Sequence, residues 1–153
     1  MTAALRVAFG ADHAAVDMKD ALVEFVKAQG HTVFDFGTHG TAAVDYPDYA
    51  QKVARSVLSG EAERGILLCG SGVGVCITAN KVKGIRAGLC HNTYTARQAV
   101  EHDDIQVLAL GARVIGIEIA KDVVLAFLNA RFTGEERHAR RLAKIAAIEG
   151  ASE

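Results

Sequence analysis

The sequence is short of several things: it has one proline, three cysteines, few aromatic residues and a formal net charge of −1. One proline in a chain whose residues are half hydrophobic points to a compact globular protein and excludes disorder. The cysteines, Cys69, Cys76 and Cys90, are odd in number and lack a Cys-x-x-Cys spacing. That excludes a disulfide framework and a zinc knuckle, and suits a reducing cytoplasm. Near-zero charge gives no overall attraction to nucleic acid or acidic membranes. No apolar run is long enough to span a bilayer, and Met1 to Arg6 leads into a strand-like run without a signal-peptide pattern. No His, Asp or Glu cluster has metal-ligand spacing, so no metal is expected. Repeats, low-complexity tracts and linkers are also missing, which leaves a single domain over 1–153.

What is present alternates. Short apolar runs at 5–10, 32–36, 66–69, 85–89 and 107–110 predict strands. Between them, helical periodicity predicts helices at 16–28, 49–58, 73–80, 94–101 and 117–128, with a last helix from about 135 to 149. Pro47 suits the first turn of the second helix, and Asn92 or Thr93 the cap of the fourth. Strand–helix alternation with about five strands implies an α/β fold: a Rossmann-like three-layer sandwich around a parallel sheet.

Ligands of open parallel sheets bind outside the carboxyl ends of the strands. Asp12 and His13 follow the first strand there, Cys69-Gly70-Ser71-Gly72-Val73-Gly74 the third, Cys90-His91-Asn92 the fourth and Arg113 the fifth. The glycine loop lacks the Lys-Ser/Thr of a P-loop, and no acid ends the next strand as a dinucleotide site requires. It reads as a tight turn or as a cradle of backbone N–H groups for an oxyanion or enediolate. Cys69 stands where the helix dipole points, as a general base or as a nucleophile. Cys76 and Cys90 read as small hydrophobes.

On the last helix Arg137, Arg140, Arg141 and Lys144 share one stripe. The stripe is a solvated face relieved by Glu135 and Glu136, or a phosphate site; the near-neutral charge and lack of interleaved aromatics disfavour nucleic acid. His31 and His39 read as surface or loop residues. His13 and His102 stand beside acids, Asp12 and Asp103.

Ordered motifs run through nearly the whole chain: Gly10-Ala11-Asp12-His13, Asp45-Tyr46-Pro47, Cys69 to Gly74 with Ala79-Asn80-Lys81, Gly84-Ile85-Arg86-Ala87, His102, Gly111 to Gly116, and Arg137-His138-Ala139-Arg140-Arg141. In these the chain resembles the ribose-5-phosphate isomerase B family, which includes galactose-6-phosphate and allose-6-phosphate isomerases. The resemblance implies a cofactor-free aldose–ketose isomerase that interconverts ribose 5-phosphate and ribulose 5-phosphate through a cis-enediolate. It implies Cys69 as base assisted by Ser71, Gly70, Ser71, Gly72, Val73 and Gly74 as the enediolate cradle, and His102 as the ring-opening acid or base. Asp12, His13, Tyr46 and Asp103 would line the sugar pocket, and Arg113, Arg137 and Arg141 would bind phosphate. It further implies a homodimer or homotetramer with the site at a dimer interface, reached by the C-terminal helix. The sequence departs from relatives at Val75, where some carry a glutamate base, and at Asp103, where asparagine is usual. A tetrose or hexose phosphate is the alternative substrate, and a non-catalytic sugar-phosphate-binding module the alternative class.

Overall fold

The computed structural model describes residues 3–151, so Met1, Thr2, Ser152 and Glu153 of the expected 1–153 domain lie outside it. Five strands, β1 (Arg6–Ala11), β2 (Thr32–Asp35), β3 (Arg64–Cys69), β4 (Ala87–Leu89) and β5 (Val107–Gly111), form one sheet in the order β2-β1-β3-β5-β4. All four pairings are parallel. The helices are α1 (Val16–Ala28), α2 (Tyr46–Leu58), α3 (Val73–Lys81), α4 (Thr93–Asp103), α5 (Ile117–Asn129) and α6 (Glu136–Ala151).

Side chains alternate across a strand, so each central strand feeds two cores. Phe9, Ile66, Leu68, Leu108 and Leu110 face one core with α1, α4 and α5, whereas Ala8, Leu67, Val107 and Ala109 face the other with α2 and α3. On α5 the buried residues Ala120, Val123, Val124, Phe127 and Leu128 form one helical stripe. Burying a side chain the size of Phe127 or Leu128 contributes about 1.5–3 kcal/mol. Arg64 finishes this helix from β3, donating to the carbonyls of Phe127 at 2.6 Å and Ala130 at 2.9 Å.

Two element boundaries and one burial differ from expectation. β4 begins at Ala87, because Ile85 turns into the α3-side core ahead of the strand. α2 begins at Tyr46, with Pro47 inside its first turn, where a missing N–H costs nothing. His31 is buried rather than superficial, since its Nδ1 accepts the Leu5 N–H at 3.0 Å and anchors the entry to β1.

Packing also fixes the carboxyl end of β1. The Lys19 ammonium, fully buried, lies 2.8 Å from both carboxylate oxygens of Asp35, and Asp35 accepts the Gly37 N–H at 2.9 Å. Gly37 and Thr38 in turn exchange two 2.7 Å backbone hydrogen bonds with Ala11, the residue before Asp12.

Candidate active site

β1, β3 and β5 end side by side, and their loops enclose a cleft of about 600 Å³. Asp12 and His13 follow β1, Tyr46 comes from the start of α2, Cys69, Gly70, Ser71, Val73 and Gly74 from the end of β3 and the start of α3, and Arg113 and Val114 from the turn after β5.

Cys69, 5% exposed, lies at the edge of the core, and its Sγ accepts the Gly72 N–H at 3.1 Å. Such a contact strengthens when the sulfur carries charge. Gly72 has φ +81°, a left-handed conformation that favours glycine, and it turns the chain sharply from β3 into α3. No side chain caps α3 at Gly72, so its first-turn amides lack acceptors within the helix. Of these, Val73 N–H donates to Ser71 Oγ at 3.2 Å. Thiol, hydroxyl and amide donors therefore converge at one helix N-terminus, where the dipole favours a developing negative charge. Val75, at the departure from the glutamate-bearing relatives, is fully buried in the core.

The walls are set by backbone contacts. Ala112 N–H donates to the Cys69 carbonyl at 2.9 Å and Arg113 N–H to that of Gly70 at 3.0 Å, which ties the β5 turn to the cradle. The exposed Arg113 side chain lies over Gly70. His91, after β4, accepts the Gly111 N–H through Nε2 at 2.9 Å. Asp12 is buried and caps the turn after β1 by accepting the Ala14 N–H at 3.0 Å. His13 is exposed, and its Nδ1 accepts the Val44 N–H at 3.1 Å, which holds the loop leading to Tyr46.

The remaining expected residues do not line this cleft. His102 and the exposed Asp103 end α4, and Arg137 and Arg141 stand exposed on α6. His102 Nδ1 faces the Gln98 amide nitrogen at 3.0 Å. Its ring stacks on His138 with centroids 4.0 Å apart and an interplanar angle of 16°. Asp103 offers its carbonyl to Arg86 Nε at 3.0 Å, leaving the carboxylate outward. The basic stripe is partly relieved nearby: Arg137 pairs with Glu135, just before α6, and Arg140 with Glu136 at 2.6 Å. Within one chain the residues assigned by resemblance thus occupy two places. Sequence reasoning passed over Gln98 and His138, although Gln98 stands one helical turn before His102 and His138 lies inside the arginine motif. Among the described residues no group of three or more His, Cys, Asp and Glu could hold a metal, and no helix is long and apolar enough to cross a membrane.

A family model described as Ribose/Galactose Isomerase matches residues 7–145. The chain belongs to this family. Within the ribose/galactose isomerases it is 48% identical to a D-erythrulose-4-phosphate isomerase of Pectobacterium atrosepticum, over 85% of this chain and 86% of that protein. It is 45% identical to ribose-5-phosphate isomerase B of Escherichia coli, over 94% and 96%. The solved structure of ribose-5-phosphate isomerase B from Clostridium thermocellum superposes with a TM-score of 0.95 at 48% identity, covering 97% of this chain and all of that one. The five-stranded parallel sheet is therefore the family fold, and the chain is a sugar phosphate isomerase of this family.

Two buried histidines, His31 and His138, and the half-buried His91 give the fold a pH dependence. Burial pushes the pKa values of His31, His91 and His138 below the ordinary histidine value, with Arg131 adding at His31, and His102 and the nearby arginines at His138. His31 and His91 each use a bare ring nitrogen to accept a backbone N–H, so protonation there sets two donors face to face. With folded pKa values lowered, the unfolded chain binds more protons as pH falls through about 6.5, and stability drops. Thermal melts should be level above pH 7.5 and fall steadily from pH 7 to pH 5. A midpoint unchanged down to pH 5 contradicts this account.

Proposed function

We propose that the protein is a cofactor-free aldose–ketose isomerase interconverting D-ribose 5-phosphate and D-ribulose 5-phosphate. The observation that carries the reading is Cys69, its Sγ accepting the Gly72 N–H at the head of an uncapped helix, with Arg113 across the same cleft. In the open-chain aldose the Cys69 thiolate takes the proton from C2, and the electron pair left behind makes C1–C2 double while the C1 carbonyl oxygen becomes anionic. The amides of Gly70 to Gly74 hold that cis-enediolate, and Ser71 assists proton movement between its oxygens. Returning the proton to C1 gives the ketose. His102 opens the furanose before these steps, Asp12, His13, Tyr46 and Asp103 hold the sugar, and Arg113, Arg137 and Arg141 bind phosphate.

The two halves of this machinery are joined in a homodimer or a tetramer built from it. The cleft rim exposes Val73 (45%), Ile77 (56%) and Val114 (55%), and α6 exposes Ile145 and Ile148. Apolar surface on both pieces is what a second copy covers. Its α4 and α6 then bring His102, Arg137 and Arg141 to the Cys69 cleft. Three free cysteines suit a cytoplasmic location.

The second reading changes only the sugar. The 48% identity to an erythrulose-4-phosphate isomerase favours a tetrose phosphate over a hexose phosphate such as allose 6-phosphate. A panel of ribose 5-phosphate, erythrose 4-phosphate and allose 6-phosphate ranked by kcat/KM tests this. Ribose 5-phosphate should rank first; a tetrose ranking first transfers the assignment to that substrate. Phosphosugar binding with no isomerisation and no solvent deuterium at C1 or C2 leaves only a binding module.

A further inference from the structure

Among the described residues of α6, His138 is the buried one, 4% exposed, while its neighbours Arg137, Ala139, Arg140 and Arg141 are exposed. Its Nε2 is also the buried side-chain nitrogen or oxygen without a hydrogen-bond partner among the described residues; the Glu135 carboxylate is 3.9 Å away. A buried polar atom left unpaired opposes folding, so stability alone favours a phenyl or aliphatic side chain here. What this ring does contact is the imidazole of His102, face to face.

We propose that His138 is a positioning residue for His102, its ring forming a plate that, with the Gln98 amide, holds the His102 imidazole ready for sugar-ring opening. The inference rests on the ring-opening role given to His102 above. As oriented, the Gln98 amide donates to Nδ1, so His102 carries its proton on Nε2 and offers that nitrogen to a ligand. Ring opening removes the proton of the C1 hydroxyl and breaks the bond from C1 to the ring oxygen. The electron pair goes to that oxygen, which takes a proton, and C1 becomes a carbonyl, with no net proton gained or lost. His102 changes charge during this exchange, and a cationic neighbour stacked on it would oppose the change. The groups around His138 are His102 on α4, Glu135 just before α6, and Arg137 and Arg141 on α6; burial and all of these except Glu135 keep His138 neutral. A neutral flat ring thus supports His102 without competing with it for charge.

The test separates ring opening from proton transfer at carbon. Ribose 5-phosphate reaches the enzyme mostly as a furanose, whereas ribulose 5-phosphate carries phosphate on the oxygen that would close its ring and stays open. His138→Leu should lower kcat/KM for ribose 5-phosphate about tenfold, the scale of a modest misplacement of a reacting group. Enzyme-catalysed solvent deuterium exchange at C1 of ribulose 5-phosphate should stay within about twofold of wild type, since the cradle is untouched. His138→Phe, which restores the plate without the nitrogen, should recover ribose 5-phosphate turnover and melt no lower than wild type. Gln98→Leu should repeat the selective loss, which keeps the test decisive if the leucine variant at 138 does not fold. Equal losses in both assays, or no rescue by phenylalanine, overturns the inference. His102→Leu run alongside identifies which idea has failed: without a selective loss there, or with wild type inactive on ribose 5-phosphate, the ring-opening role falls first.

Discussion

Cys69→Ala should lower kcat/KM for isomerisation about a thousandfold, within the range for removing a positioned general base and equal to about 4 kcal/mol of barrier. Solvent deuterium exchange into ribulose 5-phosphate should vanish with it, because both reactions begin with the same proton abstraction. Binding of inorganic phosphate or a non-reactive sugar phosphate should hold within a few-fold, since Arg113 and the cradle amides remain. The fold should lose only about 1 kcal/mol, the scale for deleting one atom from a packed side chain at a core edge. Cys69→Ser should be nearly as poor as the alanine variant: a hydroxyl fills the space but ionises far less readily than a thiol. Wild-type turnover by either variant would falsify the base assignment and move the proton to another cleft residue, with Ser71 or Asp12 next to examine.

Gly111→Ala should be severely damaging although it touches no ionisable group. A Cβ at this position would lie 2.5 Å from the Ser71 carbonyl oxygen, 2.6 Å from its carbon and 2.7 Å from a Val114 methyl. Two of those atoms are backbone of the cradle, so the loop after β3 and the turn after β5 must move apart. Ala112 and Arg113 are bonded to Cys69 and Gly70 across this junction, and His91 holds the Gly111 amide from behind. Separation therefore displaces the thiol, the amides and Arg113 together. A displacement near 1 Å costs about a hundredfold in kcat/KM, and overpacking of this kind costs about 1–3 kcal/mol in stability. Gly150→Ala is the control, because its Cβ meets nothing within 4 Å; it should leave kinetics unchanged. Equal kinetics for the two variants would show that the β3–β5 junction tolerates movement.

Much of this molecule is decided locally, and the sequence determined it. Strand and helix periodicities are set by neighbouring residues, so the β–α alternation and the helices 16–28 and 117–128 match the structure to within a residue. Cys69 to Gly74 was legible for the same reason: a strand end, glycine freedom and a helix start lie in one continuous stretch. The ordered motifs carried the family, as the match over residues 7–145 bears out.

Tertiary structure decided what depends on which face of an element turns inward. Nothing in the order of residues around His31 reveals that its Nδ1 accepts an amide from the start of β1. The strand order β2-β1-β3-β5-β4 sets β5 beside β3, and so places Arg113 and Gly111 against the cradle. It also leaves His102, Arg137 and Arg141 off the cleft of their own chain and sets His138 under His102. Such contacts join segments far apart in sequence, and only the packed core brings them together. The stretch from Cys69 to Gly74 is shaped by its own residues, and the sheet edge around it sets which side chains lie beside it.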